Sequence, residues 1–354
     1  MRTQSSAITP TGIAVSGRPG TATGTLQAAL GVIAFSLTFP ATAWGLEGFG
    51  PWSLVAVRSV LAALIAGGCL LALRVPVPQR AHWPGLAVVA AGVVVGFPLL
   101  TTLALQTSTT AHAAVVVGLL PLTTALCSAL RVGTRRSAGR ATFGRRVSAG
   151  PSWLVAPARR SRICHSPAPL RGATEPQPTS RDPLSPSRTF WTAAFVGAAA
   201  VVVFTVRQSG GALTTADLYL FGALLMCAAG YTEGGRLARV MPGWQVVGWA
   251  LVLCLPIGVP AAVLALSYEP VRLTAHSVTG LLWVAAGSQF LGLVVWYRGM
   301  AAIGIPKASQ LQLAQPLLTL VWSVLLLGEH LTVAAPLTAA AVLVCIAVTQ
   351  RARG

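Results

Sequence analysis

The chain has 354 residues, 54% hydrophobic and only 9% charged, and a formal net charge of +18. Soluble domains carry roughly a quarter of their residues as charges, so a mean hydropathy of +0.72 excludes a water-soluble globular protein and indicates one embedded in lipid. The positive excess does not point to nucleic acid: twelve of the 24 Arg crowd between Arg131 and Arg188, the only Lys is Lys307, and the other Arg lie chiefly at the ends of apolar runs. That pattern reports topology rather than a phosphate-binding surface.

Residues 1–24 are polar, with Arg2, Arg18 and many Ser, Thr and Gly, and predict a short disordered cytoplasmic tail before a retained first helix, not a cleaved signal peptide. Apolar runs follow near 26–45, 51–73, 84–105, 110–130, 190–206, 216–235, 244–266, 277–297, 308–327 and 332–349. Crossing a hydrocarbon core of about 30 Å takes about 20 helical residues. The runs are continuous and lack the strict alternation of barrel strands. They predict an all-α membrane protein of about ten transmembrane helices.

With both ends on one side, 21 Arg fall on one face and only Arg207 and Arg272 on the other, Arg58 lying within a span. The positive-inside rule then places both termini in the cytoplasm of a multi-pass protein of the cell membrane. Self-comparison pairs Leu120-Pro121-Leu122-Thr123-Thr124 in the fourth run with Gln315-Pro316-Leu317-Leu318-Thr319 in the ninth. It also pairs Pro51-Trp52 before the second run with Gly243-Trp244 before the seventh. Five spans per half is an odd number, so the halves form inverted repeats, the arrangement many secondary transporters use for alternating access about a midplane site.

Trp296-Tyr297-Arg298-Gly299 ends the eighth run, Pro306-Lys307-Ala308-Ser309 and Gln315-Pro316-Leu317 follow, and Leu327-Gly328-Glu329 closes the ninth. With Pro51 to Arg58, Thr110 to Leu122 and Trp191 in the first half, this ordered set resembles the EamA-type family of the drug/metabolite transporter superfamily, over roughly residues 25–130 and 189–350. The resemblance implies ten spans, cytoplasmic termini and gradient-coupled movement of amino acids, metabolites or drugs. The domain reading is a first repeat at 25–133 completed by a fifth helix at 189–208, and a second repeat at 214–350. Between them, 134–188 departs from the family's pattern. The repeat calls for Gly-Glu near Gly133-Thr134, yet about 50 further residues intervene, with eight Pro, eleven Arg and only Glu175 and Asp182 as acids. Such a segment cannot bury a core and is expected to be a disordered cytoplasmic insertion. A loop drawn to anionic lipid and a frame-shifted product of GC-rich DNA both fit it.

Polar groups inside spans are costly and mark a pathway or a structural pair. Arg58, about seven residues into the second run, either pairs with a carboxylate, Glu47 or Glu233, or lines a cavity. Gln312 and Gln315 share a face with Thr319; Gln289, with Trp296 and Tyr297 further on, offers hydrogen bonds and an aromatic wall. The expected substrate pathway is therefore Gln289, Gln312, Gln315, Tyr297, Trp296 and Arg58. Glu233, near Tyr231, is the candidate for proton coupling, a salt bridge to Arg236 or Arg239 being its other reading. Pro121 and Pro316, at equivalent repeat positions, are candidate hinges or gates. Cys69, Cys127, Cys227, Cys254 and Cys345 sit singly in apolar runs, and Cys164-His165 lacks a second pair, so neither metal nor cofactor is expected. His112 reads as an ordinary interfacial residue. The expected partners are a small-molecule solute and the lipid bilayer, with a homodimer left open. No Walker-type loop or catalytic constellation stands out. The alternatives to a secondary transporter are a polytopic enzyme acting on lipid and a transporter remnant disrupted by the insertion.

Overall fold

The computed structural model describes residues 21–124, 126–127, 188–208, 212–303 and 311–351, and the secondary structure among them is helical. Helices overlie every predicted apolar run. In chain order they are α1 (Thr21–Ser36), α2 (Thr38–Leu46), α3 (Pro51–Ala72), α4 (Trp83–Val89), α5 (Phe97–Ala104) and α6 (Thr110–Val117). Then come α7 (Arg188–Gln208), α8 (Thr215–Leu237), α9 (Gly243–Tyr268), α10 (Ala275–Leu282), α11 (Leu293–Ile303), α12 (Ala314–Leu327) and α13 (Ala334–Arg351). The 134–188 insertion lies outside the described residues, apart from Arg188, which opens α7.

Among the described residues, five helical stretches are long and apolar enough to cross a membrane: Ala22–Leu46, Pro51–Ala72, Arg80–Ala104, Gly243–Tyr268 and Ala275–Gly299. The chain is thus an all-α, multi-pass membrane protein. Its outer surface is apolar, with Leu71 80% and Ile257 77% exposed, as lipid contact requires and water would not tolerate.

Two of the long stretches change pitch midway. Ala90–Gly96 joins α4 to α5 as a π-helix, and Trp283–Gly292 joins α10 to α11 in the same way. A π turn admits an extra residue and re-aims the side chains around it, and it is frequent at functional sites. The first stretch is broken instead at Leu37, between α1 and α2. Here Pro40 has no N–H to give the Ser36 carbonyl four residues back. Thr319 of α12 supplies the donor, its hydroxyl lying 2.9 Å from that oxygen and 3.0 Å from its own Gln315 carbonyl.

The helices pair across the two halves of the sequence. The most extensive packing is α3 on α9, followed by α1 on α11, α7 on α13, α5 on α8 and α2 on α10, with α12 against α6. Small residues set the closest approaches. A Cβ on Gly280 would run into the Ala41 carbonyl and the Gly45 amide, and one on Gly92 into the Met226 carbonyl, so α10 meets α2, and the first π-helix meets α8, backbone to backbone. One buried cluster joins α6 and α8 through Ala113, Val116, Leu220 and Leu224; another joins α3, α4 and α9 through Ala62, Leu86, Val247 and Leu251.

Candidate functional site

Pro51 at the first turn starts α3, and the carboxylate of Glu269 accepts the amides of Ser53 at 2.7 Å and Trp52 at 3.3 Å. Two turns further on, this anchored helix places Arg58 in the bundle interior, only 4% exposed. Its Nε donates to Gln289 Oε1 at 2.8 Å and its Nη2 to the Val284 carbonyl at 3.3 Å. Both acceptors belong to the second π-helix. Gln289 Nε2 in turn donates to the Val94 carbonyl, at 3.4 Å, in the first π-helix. Val94 stands four residues before Pro98, which has no α-helical N–H to offer it. The two π-helices are therefore linked through one carboxamide, and Arg58 is fastened to the same group. Beside it, the Thr38 and Ser288 hydroxyls meet at 2.6 Å.

These groups line a cavity of about 80 Å³, together with Phe35, Phe39, Phe97, Tyr231 and Gln315 among others. A smaller neighbouring cavity of about 30 Å³ is lined by Gln312, Gln315, Pro121, Pro316 and Thr319. Gln315, Phe39, Val117 and Leu120 border both. The fourth and ninth apolar runs are interrupted here. Helix α6 gives way to a turn at 118–119 just before Pro121, and a turn at Leu313 precedes Pro316. The two breaks face each other, since a Cβ on Gly118 would lie 3.4 Å from Pro316 Cγ.

Of the residues singled out from sequence, Arg58, Gln289 and Gln315 meet at the larger cavity, and Gln312, Pro121 and Pro316 at the smaller one. Trp296 and Tyr297 do not line either. Trp296 packs edge-on against Phe35, with ring centroids 6.3 Å apart, in a small cluster with Ala28 and Val32, and Tyr297 backs onto Gly243. Glu233 is buried outside both linings and bridges to Arg236 at 2.5 Å. The expectation that Arg58 pairs with Glu47 or Glu233 is corrected: Glu47 sits 3.2 Å from His276 instead, and neutral groups hold Arg58.

Three features escaped the sequence reading. His112 Nε2 and Asp217 Oδ1 form a buried pair at 2.7 Å beneath the ring of Phe204, and Asp217 also accepts the amide and hydroxyl of Thr214, both at 2.8 Å. The signal for the second contact was present, because Thr214-x-x-Asp217 is a capping-box pattern. Glu329 closes its signature by capping α6, accepting from the Thr110 amide at 2.8 Å, the Thr110 hydroxyl at 2.5 Å and the Ala111 amide at 3.0 Å. Thr38, Ser288 and the three Phe of the larger cavity carry no sequence mark beyond lying in apolar runs.

An apolar helical bundle that keeps a polar-walled cavity among several membrane-crossing stretches has the architecture of a multi-pass membrane transporter. The chain belongs to the EamA-like transporter family, whose model matches residues 22–139 and 214–350. It is 35% identical over 334 residues, 94% of this chain and 98% of the other, to the uncharacterized transporter YdeK of Bacillus subtilis (strain 168). A protein of known crystal structure, 18% identical, superposes with a TM-score of 0.55 over 92% of this chain and 96% of its own. At that identity the likeness shows the fold alone.

Proposed function

We propose that the protein is a secondary transporter that moves a small organic solute by alternating access, driven by a gradient, and that the larger cavity holds the solute. The observation that carries this reading is the convergence of Arg58, Gln289 and Gln315 from three separated stretches on one cavity among apolar helices. Polar groups persist inside a bilayer where they have partners or a pathway to line, and these line a cavity next to five helix irregularities. The proposed hinges are the turns before Pro121 and Pro316, which let the fourth and ninth apolar runs bend where the cavities meet.

The ten spans are proposed to form two inverted five-helix repeats, 25–133 with 189–208 and 214–350. Support comes from the pairing of helices. Counting the ten apolar runs, the first packs on the eighth and the sixth on the third, which a two-fold exchange of halves interchanges. The second packs on the seventh and the fifth on the tenth, each being its own counterpart. The third and eighth, equivalent by position, both carry π-helices. Both termini are proposed to be cytoplasmic in the cell membrane, on the 21-to-2 division of Arg. Glu233 remains the proposed coupling carboxyl, provided that its bridge to Arg236 exchanges during the cycle.

The test is flux of a metabolite panel in sealed vesicles holding the protein, with and without a pH gradient. Gln315→Leu, which keeps bulk while removing a donor and an acceptor at both cavities, is expected to weaken apparent solute affinity with little loss of folded protein. Unchanged transport in that variant would remove the cavity from the pathway.

A further inference from the structure

Among the described residues, the wall of the larger cavity carries one formal charge, that of Arg58, and no acid. The whole chain has only seven acidic residues. Glu175 and Asp182 lie outside the described residues. Each of the other five is engaged elsewhere: Glu47 with His276, Asp217 with His112 and Thr214, Glu233 with Arg236, Glu269 on the start of α3, and Glu329 on the start of α6. Arg58 thus brings a full positive charge into the bundle interior and meets it with a carboxamide and a carbonyl. A guanidinium has five N–H donors, and these two contacts use two of them, from Nε and Nη2. A buried charge is expensive without a counter-charge, and a planar guanidinium edge is shaped for a carboxylate.

We infer, on the reading that this cavity is the solute site, that the solute is a monoanion with a carboxylate on an apolar body, the carboxylate docking on Arg58. The body would lie against Phe35, Phe39 and Phe97, which supply most of the cavity's aromatic wall. One positive charge matches one carboxylate, whereas a phosphate monoester brings nearly two negative charges and would leave one uncompensated. A zwitterionic amino acid is disfavoured by the same count, because its ammonium finds no acid on the wall. Gln289 then acts as a positioning residue. Bound to Arg58 by its oxygen and to the Val94 carbonyl by its nitrogen, it fixes the guanidinium plane.

The experiment uses the full chain in lipid nanodiscs and reads binding by calorimetry for four probes that share one ring: phenylacetate, phenylacetamide, phenylalanine and phenyl phosphate. The parent protein is expected to bind phenylacetate about tenfold or more tighter than the other three, the advantage of a charge-assisted pair over a neutral one. Arg58→Gln should erase that preference, and Arg58→Lys, which keeps the charge without the fork, should keep part of it. The parent comparison of acid with amide needs no variant, so a misfolded Arg58→Gln leaves the test intact. Equal binding of acid and amide, tighter binding of phenylalanine or phenyl phosphate, absence of phenylacetate binding, or a preference that survives Arg58→Gln would each overturn the inference. Flux of the same probes in proteoliposomes separates the two readings. Gln315-dependent flux of the amide or the amino acid without flux of the acid would overturn the solute class and leave transport standing. Absence of flux for all four alongside absent binding would count against both.

Discussion

Removing the carboxylate of Glu329 should destabilise the protein through a helix whose first residue lies 219 positions away in sequence, and the geometry sets the size of the effect. The first three amides of α6 are all satisfied: Thr110 and Ala111 by Glu329, and His112 by the side chain of Thr109 at 3.1 Å. Thr110 is 2% exposed, so water cannot replace a lost partner there. Leaving a buried donor unsatisfied costs about 1–3 kcal/mol, and an anion at the positive end of a helix dipole adds about 0.3–1 kcal/mol. Glu329 itself is only part-buried and regains some hydration, so Glu329→Ala is expected to lose about 2–4 kcal/mol in all. Glu329→Gln keeps one acceptor but turns an amide N–H₂ towards a backbone N–H, and should lose about half as much. Chemical unfolding of the purified protein in mixed micelles measures both, with the exposed Glu47→Gln as a control expected to change little. A Glu329→Ala protein as stable as its parent would show that the contact to α6 does not hold the two halves together.

Three further outcomes are expected. Thr319→Val, which strips the donor from the Ser36 carbonyl, should cost about 1 kcal/mol, and adding Pro40→Ala should recover part of it by restoring the α-helical N–H. Transport by Glu233→Gln should lose its pH response because an amide cannot titrate, and a full response would exclude Glu233 from coupling. Reporters fused after Gly20, after Ala173 and at Gly354 should read cytoplasmic and one after Gly210 external; an external signal from Ala173 would remove the inverted-repeat reading.

The stretches were legible because apolar length alone marks a helix in a bilayer, and Gln289 and Gln315 were legible because a carboxamide in such a run needs a reason to be there. The π-helices were not. A stretch apolar on every face shows no amphipathic phase to slip, so an inserted residue leaves no trace in the pattern. For Arg58 the sequence left an ion pair and a cavity wall both open, because charge suggests opposite charge; the groups nearest it are a carboxamide and a carbonyl. The sequence alone could not place Trp296 and Tyr297, since large rings fill helix contacts as readily as they wall a cavity.

The prolines and the polar side chains, read separately in sequence, are one device in the structure. Pro40 withdraws a donor from the Ser36 carbonyl, and Pro98 withdraws one from Val94. In hydrocarbon no water makes up the loss, so each carbonyl draws a side chain from a distant stretch, Thr319 in the first case and Gln289 in the second. Each proline thereby fixes which helix must cross its own and at what height. Gln289 has its nitrogen committed to Val94 and its oxygen committed to Arg58, so the guanidinium is held by a chain of bonds that begins at a backbone irregularity. On the proposed reading, such a site would be rigid at Arg58 while the neighbouring helices bend at Pro121 and Pro316, which is the division of labour that a rocking bundle around a fixed binding group requires.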